Sequence, residues 1–513
     1  MRTLIVPPAA IVLLLSCFAP AQGAPPSGQD IYRLGVAERV ASCVVCHGAQ
    51  AEGVGQFPRL AGLPASYIVD QMQAYADGKR PNPVMRAIAG ALSTAQISAV
   101  AQYLAGTAAP YLPAGPSSPT SLAAGARLVA LGKWSAGVPP CRDCHGPALR
   151  GGGPALPGLA GQPEAYLFVQ LKAFHDGTRP GGPLGLMARI AARLDSRELA
   201  AAAAYASALR EDQQAEAARG RSGTTWRARP QSPEHFTPPP DFALPADTED
   251  AGAVLLGERI FDNTPRYAAT YTGNTLSCRN CHTDRGRNPK SAPLWAAVPR
   301  YPMYRSKNRT INSLAMRIAD CFRYSENGTA PPADSPELLA LLTYANWLAT
   351  GLPIGIKPSA SGYPALGPPA QKPDRARGAA VYAHDCAVCH GATGQGSAFA
   401  GAKVIPALWG PQSYNWGAGM HSVDNAAAFV YANMPHGAAG LLSVQQAWDV
   451  AAWIDSQPRP QDPRFTESVE KTRELYHKSH VYEFYGETVD GHVLGAPGTL
   501  EAWSQENPLP SGE

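Results

Sequence analysis

The pattern Cys-x-x-Cys-His occurs four times in the chain: Cys43, Cys46 and His47; Cys141, Cys144 and His145; Cys278, Cys281 and His282; Cys386, Cys389 and His390. Two thiols three residues apart lie on one helical turn and can add to the two vinyl groups of a haem. The adjacent histidine then swings beneath the ring to ligate iron. A redox dithiol does not require the following histidine, and a zinc site needs a second ligand pair for each motif. Eight of the ten cysteines are therefore assigned to four covalently bound c-type haems (Fe). Such a group is enclosed by a small set of helices, so the expected fold is all-α: four tandem class I cytochrome c domains with long loops, each enclosing one haem. The 50 glycines and 50 prolines suit long connections, and 45% hydrophobic residues are too many for a disordered chain. With 43 basic against 40 acidic residues, no nucleic-acid partner is indicated.

Arg2 precedes an apolar run from Leu4 to Phe18 and then the small-x-small sequence Ala19-Pro20-Ala21. The run is shorter than the about 20 residues that span a bilayer, so residues 1–24 read as a secretory signal peptide. Export to the periplasm follows, with no transmembrane segment in the mature chain. Lipidation of Cys17 is the alternative, disfavoured by the bulky Leu15 where such signals take small residues. Cys17 leaves with the signal, and Cys321 is then the one thiol without an assignment.

The first two motifs belong to a repeat of about 97–100 residues. Pro58-Arg59-Leu60-Ala61-Gly62 and Pro157-Gly158-Leu159-Ala160-Gly161 correspond, as do Tyr67 and Tyr166, Gln71 and Gln170, and Arg80 and Arg179. Self-similarity at this period means duplicated domains, here 25–110 and 120–212, each ending in an amphipathic helix. The polar, Pro-rich stretch 213–241 reads as a linker. A third domain is expected at 242–355 and a fourth at 374–458. The tail 459–513 has no haem signature and is expected to wrap the surface.

Class I cytochromes take their second axial ligand from a later residue, and methionine there raises the potential. Met85 is favoured in the first unit over Met72, which sits between glutamines in a helix; Met187 is the one choice in the second. In the fourth, Met434 is preferred to Met420 because it shortly precedes the helix expected at 443–454. The third unit offers Met303, Met316 and Cys321. Met316 and Cys321 are five positions apart, about 140° around a helix, so they cannot both face one iron. Between Asp262 and Ser325 eleven Lys and Arg residues face three Asp, a net +8 in a chain of +3 overall. A basic region around an unassigned cysteine suits capture of a small anion.

Several segments resemble the catalytic half of thiosulfate dehydrogenases. These are Gly273-Asn274-Thr275-Leu276-Ser277 leading into the third motif, Tyr301-Pro302-Met303-Tyr304-Arg305, the run from Arg317 to Gly328, Tyr414-Asn415-Trp416-Gly417-Ala418-Gly419-Met420, and Asn433-Met434-Pro435. The likeness extends over about 242–500, and the first two domains resemble diheme cytochrome c4. Together they are similar to a thiosulfate dehydrogenase fused to its diheme electron acceptor. The resemblance implies that Cys321 ligates the third haem and is catalytic, with Arg317, Ser325 and Lys307 at the substrate and Arg305 a weaker candidate. Asn433 stands where some members carry a lysine that exchanges with the methionine, so that exchange is not expected here. The implied reaction joins two thiosulfates into tetrathionate. Electrons would leave through the N-terminal haems to an external acceptor such as a soluble high-potential cytochrome, an iron-sulfur protein or a terminal oxidase. A pure electron-transfer protein with Met316 as ligand, and a haem peroxidase or sulfur transferase, are the alternatives.

Overall fold

Four times along the chain a helix carrying a glycine crosses a later helix carrying an aromatic residue. Gly28 of Gly28–Leu34 meets Ala99 and Tyr103 of Thr94–Ala105; Gly125 of Pro119–Leu131 meets Ala201 and Tyr205 of Ser196–Ala208. Gly257 of Thr248–Asp262 meets Ala340 and Tyr344 of Pro336–Leu348; Gly378 of Arg375–Val381 meets Asp449 and Trp453 of Val444–Asp455. A Cβ at any of these glycines would overlap the facing carbonyl oxygen, so glycine is required by close approach rather than by conformation. The later helices start where the sequence caps them. Ser93 with Gln96, Asp195 with Glu198 and Ser443 with Gln446 form capping boxes that satisfy the first free amides. Their apolar stripes, such as Ile97, Val100, Ala101 and Leu104, fill the space beside each haem motif.

This is the computed structural model of the protein; it describes residues 26–36, 39–113, 115–146, 148–210, 231–240, 248–305, 310–399, 402–478 and 481–507. The chain is mostly helical, with three short antiparallel hairpins among the described residues. In one of them Met303, Tyr304 and Arg305 pair with Asn312, Ile311 and Thr310. The expected all-α class is what is found, built of cytochrome c units. The signal segment and Cys17 lie outside the described residues. No single described helix is long and apolar enough to cross a membrane.

The duplicated residues of the first two units bond reciprocally. Arg80 donates to Gln71 at 2.9 Å in its own copy, and to Tyr166 at 3.1 Å and Gln170 at 2.9 Å in the other. Arg179 donates to Gln170 at 2.8 Å, to Tyr67 at 3.3 Å and to Gln71 at 2.9 Å. Residues 231–240, the described part of the expected linker, pack on the third unit. There the Phe236 ring lies 4.9 Å from that of Trp295, and the Pro239 carbonyl accepts from Arg287 at 3.1 Å.

The tail packs onto the fourth unit, where Val469, Tyr485, Val489 and Leu494 form a buried cluster with Trp416. No haem motif or long periodic helix signals this in the sequence.

Candidate active site and haem cavities

Each motif histidine is oriented by a backbone carbonyl. The ring Nδ1 lies 3.0 Å from Pro58 O for His47, 2.8 Å from Pro157 O for His145, 2.7 Å from Ala292 O for His282 and 3.0 Å from Pro406 O for His390. A carbonyl can only accept, so Nδ1 carries the proton and the Nε2 lone pair is left for a metal. Burial depresses the pKa of all four rings, that of His390 to about 4, which keeps them neutral. Apolar cavities adjoin the motifs. One is lined by Cys141, Cys144, His145 and Met187. Another is lined by Cys386, Cys389, His390, Met420 and Met434. Paired thiols, an oriented imidazole and a thioether around such a space fit a covalent haem with histidine and methionine ligation. In the first unit Met85 lies half-buried on Pro83–Ala91, whereas Met72 packs into the core. Asn433, next to Met434, is turned away to the Lys290 and Phe429 carbonyls.

The third cavity differs. It is lined by Cys278, Cys281, His282, Cys321, Ser325 and Glu326, with no methionine among its walls. The helix Leu314–Tyr324 is capped by Ser313 and carries Arg317 and Cys321 one turn apart, hence on one face. The Arg317 guanidinium Nη1 donates to Cys321 Sγ at 2.9 Å. The neighbouring Cys321 sulfur raises the Arg317 pKa, outweighing burial. Ser325 ends the helix, its amide donating to Cys321 O at 2.8 Å. Met316 falls on the other side of the helix and is 46% exposed, and Met303 sits in the hairpin paired with Asn312. Lys307 lies outside the described residues. Arg305 is drawn to Asp320 at 3.2 Å.

The basic run around this cavity is not the open cationic face that its sequence suggests. Arg279 pairs with Asp143 at 2.5 Å, and Arg285 with Glu258 at 3.4 Å and Asp262 at 3.7 Å. Arg305 and Arg323 share Asp320. Partners such as Asp143 and Glu258 stand outside the window in which the charges were counted, so folding offsets part of what the local sequence leaves in excess. Sequence reasoning also missed Glu326. It is buried beside the cavity, lies 3.9 Å from Cys278 Sγ, and has its pKa pushed well up by burial and then by Cys321. Its one signal was an acid directly after Ser325.

The second and fourth motifs share walls: Cys144 lines the cavity at His390, and Val388 and Cys389 line the cavity at His145. Around this junction Arg142 pairs with Asp262 at 2.5 Å, and His436 lies 3.3 Å from Asp143. At the first motif, by contrast, Val45 between the two cysteines is 78% exposed.

Residues 35–108 and 375–458 match the cytochrome c family, and residues 266–354 match the SoxA/TsdA cytochrome c domain. A thiosulfate dehydrogenase of Thiomonas intermedia is 52% identical over 263 residues, 51% of this chain and 83% of that protein. A thiosulfate dehydrogenase electron acceptor of the same organism is 43% identical over 170 residues, 33% of this chain and 78% of that protein. The solved structure of thiosulfate dehydrogenase TsdBA from Marichromatium purpuratum is 42% identical, covers 91% of this chain and 98% of its own, and superposes with a TM-score of 0.82. The chain, a tetrahaem protein with catalytic-type and acceptor-type halves in one polypeptide, belongs to the thiosulfate dehydrogenase family.

Proposed function

We propose that this protein is an oxidoreductase that joins two thiosulfates into tetrathionate at Cys321 in the periplasm and passes the two electrons to an external acceptor. The observation that carries this reading is the Arg317 guanidinium held 2.9 Å from a cysteine sulfur in a cavity with the third haem motif. Joining two dianions through sulfur opposes Coulomb repulsion, and a fixed guanidinium offsets it in a low-dielectric site. Arg317 binds and orients the anion, Ser325 donates its hydroxyl, and Lys307 adds charge. The Cys321 thiolate and the outer sulfur of one thiosulfate form an S–S bond with loss of two electrons. The outer sulfur of a second thiosulfate then attacks the sulfur that carries the sulfonate. The Cys321–sulfur bond breaks, tetrathionate leaves and the thiolate is restored. When bound, the haems supply one-electron sinks that take up the pair.

Purified protein with thiosulfate and ferricyanide is expected to yield one tetrathionate for every two ferricyanides reduced. Thiosulfate consumption without tetrathionate, or turnover of peroxide, would sink this reading in favour of a sulfur transferase or peroxidase.

The wall common to the second and fourth motifs supports electron passage from the catalytic half into the acceptor half. The exposed Val45 supports departure at the first motif to a soluble redox protein. Val45→Gln is expected to raise the KM for a small cytochrome c acceptor several-fold, to about tenfold, and to leave the ferricyanide rate unchanged. Equal KM values in variant and wild type would place the exit elsewhere.

A further inference from the structure

The tail and the fourth unit meet at two buried imidazoles and a buried carboxylate. His421 directly follows Met420 in the fourth unit, and His477 and Glu483 belong to the tail. One donor atom from each of the three lies within 4.8 Å of the others, and both histidine side chains are fully enclosed. We propose that this cluster is a binding site for a divalent, zinc-class cation that fastens the tail to the fourth unit.

Three features of the chain's own residues carry the assignment. The first is orientation. His477 Nε2 lies 3.0 Å from Asp462 Oδ2, and Asp462 is itself held by two bonds from Arg464, at 3.0 and 2.7 Å. A carboxylate on one ring nitrogen fixes the tautomer and aims the other nitrogen's lone pair at a metal. Here that other nitrogen, Nδ1, faces Glu483 Oε1. With that ring neutral, two acceptors face each other, and either a proton or a metal ion must stand between them.

The second feature is charge. Three carboxylates are buried in this region: Asp455, Asp462 and Glu483. Asp455 has Arg459 at 3.3 Å and Asp462 has Arg464 at 2.7 Å. Glu483 has only imidazoles, and its second oxygen, Oε2, is buried without a hydrogen-bond partner among the described residues. A proton shared by His477 and Glu483 would satisfy that pair alone. The second imidazole also approaches this carboxylate, with His421 Nδ1 3.8 Å from the same Glu483 oxygen.

The third is donor chemistry. Two neutral imidazoles and a carboxylate form a ligand set suited to zinc, with bonds of about 2.0–2.2 Å. Holding the ion requires His477 Nδ1 and Glu483 Oε1 to move apart and His421 to close in from 3.8 Å, both by side-chain rotation. Arg464, which holds the orienting Asp462, also lies 5.1 Å from the ring centre of Tyr324 at the end of the catalytic helix. The site therefore anchors the segment that braces that helix, without touching the reacting sulfur.

The test is metal analysis of the full haem-loaded protein, dialysed against zinc and then against metal-free buffer. One zinc per four irons is expected. In Glu483→Gln and in His421→Asn the zinc falls to background while four irons are retained. A wild type holding no stoichiometric zinc overturns the proposal and leaves a protonated His477–Glu483 pair. Zinc retained undiminished in both variants overturns it as well, because the ion then sits elsewhere. Should a variant fail to accumulate, the wild type decides alone. Dipicolinate, which strips zinc but not covalent haem, is expected to lower Tm by several degrees, and added zinc to restore it. A Tm indifferent to both treatments counts against the site.

Discussion

Cys321→Gly is expected to abolish thiosulfate oxidation, by at least about a thousandfold in kcat, with all four haems still attached. The sulfur is the protein atom that carries the adduct in the proposed cycle, and the Arg317 guanidinium has its acceptor in that atom. A glycine inside the helix Leu314–Tyr324 also costs about 0.5–1 kcal/mol of helix stability relative to alanine. Cys321→Ala is therefore the companion variant, and it is expected to show the same loss of activity with a higher Tm. Each protein is assayed with ferricyanide, tetrathionate is quantified, and haem is counted spectroscopically. Dye-coupled activity within tenfold of wild type would mean that the third haem is a relay and that Met316, exposed as it is, belongs to an alternative conformation.

Asp143→Asn is expected to loosen the junction between the acceptor half and the catalytic half. Asp143 is largely buried between Arg279 at 2.5 Å and His436 at 3.3 Å. Burial opposes its ionisation but is outweighed by Arg279 and His436, so its carboxyl titrates well below the usual range. Among the described residues, removing the charge leaves Arg279 with only the more distant Asp262, at 3.8 Å, a loss of about 3 kcal/mol. The pH dependence follows from the depressed value. The stabilisation is fully present above the ordinary aspartate pKa of about 3.9 and is lost as pH falls from there toward the folded-state value. Between neutrality and about pH 5 the wild type should show no loss from this group. In more acid solution its Tm should fall toward that of Asp143→Asn, whose own Tm should change less over the same range. Thermal scans of both proteins across that range, following haem absorbance and helicity, check this. A variant as stable as wild type at neutral pH would show that the pair is not what holds the halves together.

The haem sites and the helices that enclose them were legible because each depends on a local pattern. A five-residue motif places two thiols and an imidazole, and Ser or Asp followed three positions later by Gln or Glu starts the closing helix. Long-range complementarity was not legible. Nothing near Arg279 or Arg285 in the sequence announces Asp143 or Glu258, so the net charge of the third unit overstated its free positive surface. Glu326 and the buried face of the tail were hidden for the same reason, since each acquires its environment from a distant segment, the haem cavity in one case and Trp416 in the other. At Cys321 the spacing left three candidates, and the family likeness was needed to choose among them. The structure adds that Met316 and Met303 do not line the third cavity.

The crossed arginines of the first two units have a consequence for substitution. Each copy bears both the donor and the acceptors of one handshake, so a single copy is complementary to itself through a twofold axis. A change at Arg80 is therefore felt by Gln170 in the other copy, and a change at Gln71 by Arg179.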